Sequence, residues 1–359
     1  MNLMCAALTA VLLAGLTSCG TAGFYAQALG GQWEVQRKAR PITEVLADPA
    51  VPKATRAELH KVPGVTRFAE NHLGLPANGS YAAYADLGRK HVVWVVFAAA
   101  EFSIEPKSWC YPLIGSLAYR GYFAERPARA LEARLTRDGL ETYVGGVDAY
   151  STLGLLRDPV LNTFIHRGET AVAELIMHEL THQRLYLAAD TEFNEALATA
   201  YAEHGVRRWL AAEGRTTELQ RYAAQSRALR AFIDLALQTR TALGVSYAAT
   251  SGRPAAERRA AKQAILNNFE RQALGLRRRH PQLERVDRFF QEPVTNARLA
   301  TLSTYYDFVP AFEALLKKHA GNADGFFAEV TALGRRPKKE RHEALRALIE
   351  SRPATSSAR

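Results

Sequence analysis

Two histidines four residues apart, with a glutamate beside the first, make His178-Glu179-Leu180-Thr181-His182 the stretch best suited to chemistry. On a helix, positions four apart lie on one face, so both imidazoles can be presented to one metal ion. Glu179 sits off that line but within reach of a water at the same ion. Two neutral imidazoles and a carboxylate that takes the proton of water are the working parts of a zinc hydrolase. Three protein ligands leave a fourth position for water, whose pKa zinc lowers to about 7. Apolar residues at helical spacing through 170–177 place the motif inside a helix rather than in a loop. A second acidic stretch, Phe193-Asn194-Glu195-Ala196-Leu197-Ala198, follows shortly after.

The elements that must hold these residues read as α+β and mainly helical. A β-branched run at 91–97, His91-Val92-Val93-Trp94-Val95-Val96-Phe97, suits a strand buried on both faces. Further strands are expected at 112–118 and 140–144, with an edge strand or loop at 150–155. Helices are expected at 41–57 (broken by Pro49 and Pro52), 65–73 and 125–138, and at 192–212, 218–243, 255–278 and 298–319 after the motif. A small mixed β-sheet thus precedes and packs on the metal helix, and the C-terminal half is helical. The length of 359 residues suffices for a sizeable core.

The net charge of +10 is spread through Arg-rich helices, with one dense run at Arg335-Arg336-Pro337-Lys338-Lys339. No nucleic-acid-binding motif accompanies it, so solvation or contact with anionic lipid is expected instead of nucleic acid.

At the N-terminus a short apolar run, 8–16, ends in Leu16-Thr17-Ser18-Cys19-Gly20. It is too short to span a bilayer, and it resembles a bacterial lipoprotein signal, in which the cysteine is lipidated and becomes the new N-terminus. On that reading 1–18 is the signal peptide, Cys19 carries lipid, and 19–32 is a tether. Residues 33–350 form the folded domain, sheet-containing to about 169 and helical after, and 351–359 is a polar tail. The chain would face the periplasm, anchored in the bacterial envelope at the outer membrane. No Lys or Arg precedes the apolar run, a departure from such signals. Cleavage would remove Cys5 and leave Cys110 without a disulfide partner, so Cys110 is expected to be a small buried apolar residue.

His178-Glu179-x-x-His182 followed by Asn194-Glu195-x-x-Ala198 resembles the gluzincin zinc peptidases, the thermolysin and aminopeptidase N superfamily. More closely, the chain resembles the bacterial "putative aminopeptidase" lipoprotein family. That likeness runs through 80–88, 109–123, 144–155, the metal segment and 296–312. The resemblance implies a zincin-like fold with one zinc ion per chain, His178, His182 and Glu195 as its ligands, and Glu179 as general base. It implies a peptide or protein substrate, most naturally one losing its N-terminal residue. An envelope endopeptidase is the nearest alternative, and a non-catalytic envelope assembly protein with a structural metal site is the other.

Glu195 lies thirteen residues beyond His182, whereas gluzincins usually place the third ligand about twenty beyond. Glu203 fits the longer spacing but sits about 12 Å further along the same helix, so one ion cannot take both. A first helix running on to Ala188 would favour Glu203. An extended Leu185-Tyr186-Leu187 would favour Glu195, as would the Asn-Glu-x-x-Ala context. The resemblance also implies a tyrosine donor for the oxyanion: Tyr305, with Tyr306, Tyr201 and Tyr150 as competitors. By likeness to the Gly-x-Met-Glu-Asn strand of aminopeptidase N relatives, Asp148 in Gly145-Gly146-Val147-Asp148 would bind the substrate's amino group, with Glu101 a second acidic candidate. Asn194 is a candidate support for the ligands.

Overall fold

The computed structural model describes residues 19–111 and 115–350. The proposed signal peptide and the polar tail lie outside the described residues, as do 112–114 of the strand expected at 112–118. Helix α1 (Cys19–Lys38) occupies the segment read as a tether; the side chain of Cys19 itself is not described. Its polarity is misleading because the polar groups are used. Gln27 bonds the backbone of Gly121 and Phe123 at 3.4 and 2.9 Å, and Gly31 seats against the Phe123 ring, where a Cβ would come within 2.0 Å of Cγ.

Strand β1 (Arg40–Pro41) leads into α2 (Ile42–Ala47), α3 (Lys53–Leu59) and α4 (Val62–Leu73), the last closed by Gly74 at φ 62°. Then come β2 (Ala83–Ala85), β3 (Val93–Ala100), the hairpin β4 (Trp109–Tyr111) and β5 (Gly115–Leu117), and β6 (Arg120–Tyr122). Helix α5 (Glu125–Arg137), β7 (Leu140–Val147) and β8 (Val160–Leu161) complete this half. The 150–155 segment is loop. From there the chain is helical: α6 (Glu169–Arg184), α7 (Thr191–Ala212), α8 (Thr216–Ala249), α9 (Ala255–Arg279), α10 (Glu284–Phe289), α11 (Asn296–Tyr306), α12 (Val309–Lys318), α13 (Ala323–Gly334) and α14 (Lys338–Glu350). The helix expected across 298–319 is two, because Pro310 has no N–H to continue a ladder and instead opens α12.

The strands pair in three small groups: a mixed set ordered β1-β2-β8, an antiparallel set ordered β6-β3-β7, and the β4-β5 hairpin. Alternation along β3 decides what the antiparallel set covers. Val96 and Ala98 face Ala128, Leu131 and Leu135 of α5, while Phe97 and Ala99 face Ala297 and Ala300 of α11. Both faces of β3 are therefore covered, but the sheet rests on α11 rather than on the motif helix α6. Alanine against alanine lets α11 lie close.

The motif helix α6 is instead seated in the main core by Val172, Ala173, Ile176, Met177 and Leu180, with α4 and α7 as its principal helical neighbours. Gly205 sets the approach of α7 to α6, since a Cβ there would stand 2.7 Å from Leu73 Cδ1 and 2.8 Å from Met177 Sδ. Cys110, expected to be buried, is exposed on β4, its Sγ 3.0 Å from Ser116 Oγ on β5. A hairpin with only one face against the core leaves such a residue outside. Among the described residues no helix is long and apolar enough to cross a membrane.

The start of α7 is fixed by a buried charge cluster. Asp190, fully buried, accepts from the Phe193 amide and from Arg341 Nη2 at 2.6 Å and His342 Nε2 at 2.9 Å on α14. Burial pushes its carboxyl up, but the His342 and Arg341 partners outweigh that and hold it below the usual 3.8. Its contribution to stability is therefore complete above that ordinary value and is lost as pH falls through the lowered folded one. Asp190→Ala, which leaves buried Arg341 and His342 without their acceptor and removes the helix cap, should cost roughly 3–5 kcal/mol in denaturant unfolding at neutral pH. An unchanged midpoint would show that the cluster is not holding α14 to α7.

Candidate metal centre

Helix α6 ends at Arg184 because Leu185 is extended, at φ −151° and ψ 124°. Asn194 then clamps the turn: its Oδ1 accepts from Leu187 N and its Nδ2 donates to Leu187 O, both at 2.8 Å. The asparagine beside the acid thus supports the backbone rather than a histidine ring. With the turn so tight, α7 begins next to the motif and its second turn presents Glu195.

Glu195 Oε2 lies 3.2 Å from His178 Nε2 and 3.8 Å from His182 Nε2, and the three candidate ligand atoms all lie within 4.8 Å of one another. Ligands at tetrahedral zinc, about 2.0–2.1 Å from the ion, stand about 3.3 Å apart. The donor set could therefore hold a metal ion, the Glu195–His178 separation lying close to that value and the Glu195–His182 one being longer. The electrostatics of His182 and Glu195 point the same way. His182 is pushed down to about 4 by burial, so it is a neutral imidazole. Its Nδ1 is buried with no protein partner among the described residues, and its Nε2 turns to Glu195. Burial raises the Glu195 carboxyl, yet the hydrogen bond to His178 outweighs it and holds the group below its ordinary value, as a carboxylate. For His178, burial lowers and the Glu195 hydrogen bond raises, with a net rise.

Glu203 is not brought to this cluster. It pairs with Arg207 at 2.9 Å and Arg230 at 3.3 Å. The second acid–histidine group, Asp190, Glu192 and His342, is the structural cluster already occupied by Arg341 and Lys338.

Glu179 is 8% exposed, and burial pushes its carboxyl up to about 7; Glu195 and Asp158 also raise it, against His178. Tyr305 reaches the cluster from α11. The Glu195 charge, then burial, then Tyr119 and Glu179 hold its phenol well above 10, so it is a proton donor. Its competitors are engaged elsewhere. Tyr201 donates to Leu73 O at 2.6 Å, Tyr150 to Gln32, and the Tyr306 ring lies under the Arg230 guanidinium.

Asp148 does not present a free carboxylate. It is 9% exposed, ion-paired with Arg167 and hydrogen-bonded to His91, so the Arg167 guanidinium already meets its charge. Glu101 is likewise taken, by Arg259 at 2.6 and 3.0 Å. Sequence reasoning missed three groups that converge on the centre. Tyr186 stacks edgewise on His182, with ring centroids 6.0 Å apart. Tyr81, 3% exposed, has its phenol raised well above 10 by burial, Glu179 and Asp158. Asp158 itself is the third. The segment 80–88 was legible as part of a family likeness, but nothing in spacing connects Tyr81 to a motif nearly a hundred residues away.

No curated protein and no solved structure matches the chain. A family model described as "Putative aminopeptidase" matches residues 23–345, a span that holds His178, Glu179, His182, Glu195 and Tyr305, and the chain therefore belongs to that family.

Proposed function

We propose that the protein is a zinc-dependent peptidase that releases N-terminal residues from peptides. Membership of the family carries the peptidase class. The zinc reading is carried by one observation, the convergence of ligand atoms of His178, His182 and Glu195 within 4.8 Å of one another, beside a buried carboxyl that is not one of them. His178, His182 and Glu195 would hold the ion, which when bound supplies a Lewis acid that acidifies water and polarises a carbonyl. Glu179, poised at about 7, takes a proton from water as it attacks the scissile carbonyl and hands that proton to the leaving amine nitrogen. The Tyr305 hydroxyl, held protonated by the carboxylates around it, donates a hydrogen bond to the oxyanion.

The Leu16-Thr17-Ser18-Cys19 segment supports a lipid anchor at Cys19 and a periplasm-facing position at the bacterial outer membrane. A structural metal site in a non-catalytic envelope protein is the rival reading. A buried Glu179 outside the ligand set counts against it, since a structural ion needs no base. The purified protein, offered aminoacyl and internally quenched peptides with and without chelator, should turn over the former and stop on chelation. Hydrolysis of neither, or hydrolysis indifferent to chelator, would remove the reading. Tyr305→Phe should keep its metal and lose roughly 10²–10³-fold in kcat, measured at saturating substrate.

A further inference from the structure

Asp158 is a buried carboxylate with no cation. It is 5% exposed, and its Oδ2 accepts from Thr152 N at 3.0 Å and Ser151 Oγ at 3.4 Å, both neutral donors of its own loop. Among the described residues no Lys, Arg or His lies within ion-pair distance of it, whereas Asp148 has two such partners. Burying a carboxylate without a counter-charge is costly, and the cost is relieved when a cation arrives.

The position of Asp158 says where that cation would come from. Ser80 Oγ joins the Asp158 amide, at 3.1 Å, to Gln183 Nε2, at 3.2 Å. Gln183 stands one helical turn beyond Glu179 on the same face of α6. Tyr81 N donates to Asp158 O at 2.6 Å, and Tyr81 holds a left-handed backbone, φ 61°, that a bulky residue adopts only under constraint. The 80–81 turn and Asp158 are thus locked together against the motif helix. The Asp158 charge is felt at Glu179, and both charges are felt at the Tyr81 phenol.

We propose that Asp158 is the anionic subsite that binds the protonated α-amino group of the substrate, so that hydrolysis is registered one residue from a free N-terminus. This rests on the peptidase reading above and deepens it. An ammonium seated at Asp158 supplies the missing counter-charge and brings the first carbonyl of the chain toward Glu179. An N-acylated peptide has no such charge and gains nothing there.

The experiment compares a free dipeptide amide with its N-acetyl counterpart on the full chain loaded with zinc. Asp158→Asn keeps an acceptor for the Thr152 amide and removes only the charge. It should lose about 10- to 100-fold in kcat/KM on the free-amine substrate, mainly through KM, the worth of a charge-assisted hydrogen bond. Because the Asp158 charge also bears on Glu179, the N-acetyl substrate is the reference, and the ratio of the two rates should fall by that factor. Equal losses on both substrates, or none, would overturn the proposal. A measurement independent of the variant's folding is inhibition of the unaltered protein by an amino-acid amide. It should bind about tenfold or more tighter than its N-acetyl form, and parity would also overturn the assignment. An unaltered protein that cleaves the N-acetyl peptide in preference sinks Asp158 as the subsite and leaves the metallopeptidase reading standing. Cleavage of neither peptide sinks both.

Discussion

Glu179→Gln should retain its zinc and lose roughly 10²–10⁴-fold in kcat, the usual contribution of a positioned general base. The amide has the size and shape of the carboxylate but cannot take a proton. Glu179 is not among the converging ligand atoms, so metal content should be unaffected. On the proposed mechanism, the burial that pushes its carboxyl to about 7 would suit it to the task. A group of that pKa can accept a proton from acidified water and still release it to an amine, whereas an exposed glutamate would be too weak a base. The result that sinks the mechanism is turnover unchanged in the variant on a substrate the unaltered protein cleaves. A variant that loses zinc as well would instead make Glu179 part of the metal's support.

Metal content should separate the two candidate third ligands just as sharply. Glu195→Ala removes an oxygen that stands 3.2 Å from one imidazole nitrogen and 3.8 Å from the other, so zinc affinity should fall by more than the roughly 10–100-fold typical of losing a supporting partner. Glu203→Ala should keep full zinc. Its damage is to the fold, because Arg207 and Arg230 lose a buried carboxylate, at a cost on the order of 1–3 kcal/mol. Inductively coupled plasma analysis of the two purified variants, with a melting curve for each, decides the matter. Zinc lost only from the Glu203 variant would transfer the ligand role to Glu203. The geometry leaves little room for that outcome: α6 stops at Arg184, and the Asn194 clamp on Leu187 starts α7 beside the histidines.

What could be read from the sequence was local in character. The i, i+4 histidines, the helix that holds them and the β-leaning Leu185-Tyr186-Leu187 all depend on residues within a turn or two of each other. Helix periodicity and the backbone preference of a tripeptide are short-range properties, and they put Glu195, not Glu203, next to the motif. The β-branched run at 91–97 likewise read as a strand covered on both faces.

The expectations that changed were those about pairing across the chain. Asp148 looked available until Arg167 was seen to meet its charge and His91 to hydrogen-bond it. The tether is a helix because Gln27 and Gly31 find the Gly121–Phe123 segment. The sheet lies on α11 because alanines 99, 297 and 300 allow that close contact. Composition and spacing carry no record of which distant charges meet, so a paired and an unpaired aspartate look alike in sequence. By itself the sequence determined that two imidazoles and an acid could share an ion. The tertiary structure alone decided which carboxylates near them already have a cation and which do not, since that depends on packing between segments far apart in the chain.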